Sequence, residues 1–132
     1  GWQVGGYQAD FDAKKASVGA ISDEQGRGIL AKRGQNISIH SLGGGQTAVT
    51  VGFLDDPVAL AAKVVDAPEW NELLIVATRH ILIQYINGVQ MNKVVDGDQA
   101  RRCGAGLIAI ELPAGAPMTV QVCHVRIMSD NH

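Results

Sequence analysis

The stretch GGYQADFD, residues 5–12, sets a carboxamide and two carboxylates at every second position: Gln8, Asp10 and Asp12. Successive side chains of an extended strand point to opposite faces, so these three would share one face and Tyr7, Ala9 and Phe11 the other. Asp is a poor strand former, and two of them in one strand suit a ligand-facing row, with plain solvent exposure as the alternative. A second group of charges lies in DEQGRG, where Asp23, Glu24 and Arg27 would bring acids and a guanidinium to a sheet rim. Such a hinge also suits an ion pair inside the fold, because the planar Arg fork matches a carboxylate. Arg33 is a further guanidinium close by, and His40 and His80 sit alone in strand-like segments, where a histidine is more often structural or exposed. Trp2 and Trp70 carry the flat faces that could stack on a ring, although Trp70 reads first as packing against a helix at 56–62.

The elements that must position these groups are mainly β. Short β-branched runs alternate with glycine-rich turns over the whole length, with no βαβ rhythm and no internal repeat. NISIHSL, TAVTVGF, LLIVATR, HILIQYI and VQMNKVVD read as strands, and so do GLIAIEL and MTVQVCHVRIM near the end. That gives about ten strands. Gly43 to Gly45 read as a hairpin loop, and Asn87-Gly88 between two apolar runs is a strong signal for a type I′ turn. Only DDPVALAAKVV breaks the pattern: an aspartate cap, Pro57 in the first turn and Ala-rich sequence predict one short helix near 56–63. The expected fold is an all-β, antiparallel two-sheet sandwich forming one domain over residues 1–132.

Composition narrows the function classes. The chain has 132 residues with 11 Lys+Arg against 13 Asp+Glu, a balance that points to neither nucleic acid nor an anionic membrane surface. No apolar run approaches the roughly 18 residues of a membrane span. The first residues, GWQVGG, have neither the basic nor the apolar region of a signal peptide, so none is expected there. Cys103 and Cys123 are too few for a disulfide framework and read as small buried thiols. No Cys/His spacing suggests a zinc site, and no metal or cofactor is expected.

GGYQADFD, GRGILAKRG, the D-P-x-x-L helix, EWNELLIVA, the INGV hairpin, GLIAIEL and TVQVCHVRI occur in an order that resembles the 3-keto-disaccharide hydrolase family, from about Gly5 to Ile127. The resemblance implies a concanavalin A-like jelly roll with a sugar-facing concave sheet. In active members it implies cleavage of 3-keto-glycosides, whose carbonyl acidifies the neighbouring C–H so that a base, an acid and a stabiliser of the enolate oxygen are needed. Carried onto this chain, Asp10, Asp12 and Glu24 become candidate catalytic carboxylates, and Gln8, Arg27, Arg33 and His40 candidate substrate contacts. The chain departs from the family at three places. Pro113 stands in Leu-Pro-Ala-Gly where the family has Leu-His-Ala-Gly, Gln84 replaces a histidine before the Asn-Gly hairpin, and Ser22 replaces a tyrosine before Asp23-Glu24. These losses predict a carbohydrate-binding domain with reduced or absent hydrolase activity; an active hydrolase or lyase and a structural interaction module are the alternatives. Family members also begin with further strands before GYQADFD. Their absence would leave an apolar face uncovered and predicts a homodimer.

Overall fold

The computed structural model describes residues 3–129, so Trp2 and His132 fall outside the described residues. Among the described residues, eight strands make two sheets, and there is one helix. The smaller holds β1 (Gly6–Ala9), β2 (Ile21–Glu24) and β3 (Gly28–Ala31) in the order β1-β2-β3. The larger holds β4 (Gln35–Gly43), β5 (Gln46–Phe53), β6 (Leu73–Thr78), β7 (Ile81–Ile86) and β8 (Val89–Gly97) in the order β5-β4-β8-β7-β6.

The sandwich expectation holds in its coarse form, mostly β with two sheets and one short helix. Its antiparallel form needs correcting. Strands β4 and β8 run parallel, from Asn36 beside Lys93 to His40 beside Gly97, so the larger sheet is mixed. The reason lies in the long connection: β5, the helix, β6 and β7 all intervene before the chain returns beside β4, and such a crossover allows parallel pairing where a hairpin cannot.

Local chemistry fixes the turns. Asn87 and Gly88 both take positive φ, 51° and 75°, as the hairpin between β7 and β8 demands. Asn87 also holds this corner to its surroundings: its Oδ1 accepts from the Glu72 amide, and its Nδ2 donates to the Lys63 carbonyl. Helix α1 (Pro57–Ala61) starts where the aspartate cap predicted. Asp56 accepts from the amides of Val58 and Ala59 at 3.3 and 3.2 Å, with Pro57 in the first turn.

Two apolar clusters hold the layers. Ile21 and Ala31 of the small sheet pack on Ile37, Ile39, Leu82 and Val94 of the large one. Val18, Leu60, Val64, Ile86 and Met91 join the 10–20 loop and the helix to β7 and β8. Between the sheets runs a buried polar seam. Arg27 donates two parallel bonds to Asp96, at 3.0 and 2.7 Å, and a third to Asp23 at 2.6 Å. Tyr7 donates its hydroxyl to the same Asp96, and Arg101 closes the end on Asp98 at 2.6 Å.

The last quarter of the chain differs from expectation. GLIAIEL and MTVQVCHVRIM join no sheet, so the described residues form eight strands rather than ten. Cys103 and Cys123 are consequently free and exposed, not buried, because the segments that carry them are covered by nothing. Trp70 is also exposed rather than packed against the helix.

Candidate functional site

Strand β1 ends at Ala9, but Asp10 still exchanges backbone bonds with Ala20 and Gly19, so Gln8 and Asp10 stay together and only Asp12 leaves the polar row. Tyr7 points between the sheets to Asp96, so Gln8, its neighbour, points to the outer side of the small sheet. Gln8 Nε2 donates to Asp10 Oδ1 at 2.9 Å and to Glu111 Oε2 at 2.8 Å, so one amide bridges two carboxylates. Ser22, directly across the ladder from Gln8, donates to Asp10 Oδ2 at 3.4 Å. Gln84 fixes this corner from beneath. It is fully buried, and its Nε2 donates to the Asp10 carbonyl at 3.1 Å while its Oε1 accepts from Asn92.

Burial raises the Asp10 carboxyl above the ordinary carboxylate range. The bonds from Gln8 and Ser22 oppose this rise, while the charges of Glu111 and Glu24 add to it. A half-buried carboxyl, raised in pKa and flanked by a second carboxylate, can accept hydrogen bonds from hydroxyl groups or take up a proton. Phe11, the next residue, leaves its ring exposed.

Asp12 serves a different purpose. Its two oxygens accept from the amides of Ala16, Ser17 and Val18 and from the Ser17 hydroxyl, which ties the 12–18 loop. Burial would raise this carboxyl, but the bonds from Ser17, Ala16 and Val18 outweigh that effect and lower its pKa.

The three cationic or aromatic candidates lie apart from Asp10. Arg27 is committed to the buried seam, where its bonds to Asp96 raise its pKa against the opposing effect of burial. In the same seam Tyr7 is pushed up to about 12 by burial and by donation to Asp96. Asp96 would be raised by burial, yet the bonds from Arg27 and Tyr7 bring it below the ordinary value. Arg33 donates to three backbone carbonyls, those of Pro57, Lys15 and Val18, and so fastens the loop to the helix. His40 is exposed on the other sheet, with Thr50 at 3.4 Å from its Nε2.

Of the sequence candidates, Gln8 and Asp10 therefore come together, with the Glu24 charge close enough to act on Asp10. Glu111 and Ser22 complete the cluster and had not been singled out as site residues. Glu111 is the one charge in an apolar strand-like run, but 103 residues separate it from Gln8, and nothing in the sequence links the two. Among the described residues no group of three or more His, Cys, Asp or Glu side chains is arranged to hold a metal ion. No described helix is long and apolar enough to cross a membrane.

No family model matches the chain, and neither does any curated protein or solved structure.

Proposed function

We propose that the domain binds a carbohydrate at the Gln8–Asp10–Glu111 cluster, and that hydrolysis of keto-glycosides is absent or very weak. The observation that carries the reading is the single Gln8 amide bridging two carboxylates on an accessible sheet face. Sugar hydroxyls are donors, and the two carboxylates together with the Gln8 side-chain carbonyl offer them acceptors. The resemblance to 3-keto-disaccharide hydrolases suggests the ligand class. Against turnover stand Gln84 and Pro113 at two family histidine positions, since a positioned acid or base contributes roughly 10²–10⁴-fold to rate. Gln84 here serves as a buried scaffold amide, which does not titrate.

The test is calorimetric titration with disaccharides and their 3-keto derivatives, comparing the wild type with Gln8→Ala and Asp10→Asn. Binding that both variants weaken supports the reading; no heat with any sugar, or binding unchanged in both variants, refutes it. A second reading, residual catalysis with Asp10 as base, is favoured by its raised pKa alone. Turnover of a chromogenic 3-keto-glucoside that Asp10→Asn abolishes would establish it.

A further inference from the structure

The small sheet is two strands narrower than the large one, and β3 is its outer strand. As a result the inner side of β5 is left bare beyond it. Val49, Val51 and Phe53, paired with the buried side of β4, are each at least 51% exposed. Two open cavities, of about 280 and 440 Å³, follow this gap; Ile29 of β3 lines both, Val49 the first and Phe53 the second. The gap is thus a groove with an apolar floor and a free strand edge as one wall. A groove of that kind accepts an extended peptide, which bonds to the edge and seats alternate side chains on the floor.

The chain carries a segment of matching pattern. In residues 118–128, Met118, Val120 and Val122 alternate with Thr119 and Gln121, and after one extra residue Val125 and Ile127 flank Arg126. His124 has a φ of 54°, the left-handed conformation found in one form of β-bulge. A bulge there absorbs the extra residue and returns all five apolar side chains to one face. These five are each at least 49% exposed. Among the described residues the segment has no ladder partner.

Its own groove is not where the chain delivers it. Glu111 is held by Gln8 on β1, the strand at the opposite side of the small sheet from β3. The Pro113–Pro117 stretch then bends the chain at 114–116 before the segment begins. The total exposed area gives a second argument. It is 9645 Å², whereas a compact monomer of 13.9 kDa exposes about 6,700 Å². The excess is about 3,000 Å² per chain, or about 6,000 Å² for two, at the upper end of what obligate homodimers bury in total.

We infer that two copies of this chain exchange their 118–128 segments, each lying along β3 of the other and covering its β5 floor. The exchange is reciprocal, so one two-fold axis satisfies both grooves and both segments. It is independent of the carbohydrate reading, because neither Gln8 nor Asp10 lines the groove.

Sedimentation equilibrium at tens of micromolar should give twice 13.9 kDa. Val122→Asp, on the segment, and Val51→Asp, on the floor, should each weaken dimerisation by about tenfold or more, while Gln121→Glu on the polar side leaves it unchanged. Hydrogen exchange on the wild type needs no variant to fold: amides of 118–128 should be protected in the dimer and lose protection on dilution. A monomer at these concentrations overturns the inference, as does a dimer indifferent to both aspartates. Concentration-independent protection in a monomer would show that the segment docks on its own chain, and would equally overturn it.

Discussion

Replacing Asp96 by Ala should cost this domain more stability than any surface change, because Asp96 is where the two sheets are tied electrostatically. Its side chain is fully buried and accepts two bonds from Arg27, one from Tyr7 and one from the Asp98 amide. Removing one partner of a buried ion pair typically costs about 3–5 kcal/mol, since the other charge is left without compensation. Arg27 would keep Asp23 at 2.6 Å and Asp98 at 3.5 Å, which places the expected loss near the lower end, about 3 kcal/mol. For a chain of this size that corresponds to a fall in Tm of about 10 °C. Urea unfolding followed by tryptophan fluorescence measures it. The pH dependence gives an independent check of sign. Asp96 has a folded pKa below its unfolded one, so its contribution is complete above the ordinary carboxylate pKa of about 3.9 and fades as pH falls through the lower folded value. The gap between wild type and variant should therefore be constant at neutral pH and shrink in acid. A loss under about 1 kcal/mol at neutral pH, or a gap that widens in acid, would refute the argument that this charge pair joins the sheets.

Asp12→Ala removes the acceptor of three amides and a hydroxyl in the 12–18 loop, and should cost about 2 kcal/mol in urea unfolding while leaving sugar affinity unchanged. Gly34→Ala should destabilise by more than about 1 kcal/mol, read as a lower Tm, because φ there is 85° and a Cβ would lie 2.6 Å from the Asp55 carbonyl oxygen. Asn87→Ala should cost about 1–2 kcal/mol, since it loses bonds to Glu72 and Lys63 and places a less tolerant residue at positive φ. Sugar affinity should change with pH around the raised Asp10 pKa, and Asp10→Asn should remove that dependence in calorimetric titrations at several pH values.

Local signals were legible in the sequence wherever a short-range rule decides the conformation. Alternation marked β4, β5, β7 and β8, Asn87-Gly88 marked its hairpin, and Asp56-Pro57 marked the start of the only described helix. Period-two geometry also placed Gln8 opposite Tyr7, since that relation depends on neighbouring residues alone. What the tertiary structure decided were the relations across long separations. Asp10 and Asp12 share a parity in the sequence, yet the strand ends at Ala9 and Asp12 turns to its own loop, where it satisfies three amides. Arg27 and Arg33 looked equally available as cations; one is drawn into a carboxylate seam formed by β8, the other onto carbonyls of the 15–18 loop and the helix. The parallel pairing of β4 with β8 and the meeting of Gln8 with Glu111 follow from how the layers close over one another. Alternation can tell a residue which face to take, but the packing of whole sheets determines what that face meets.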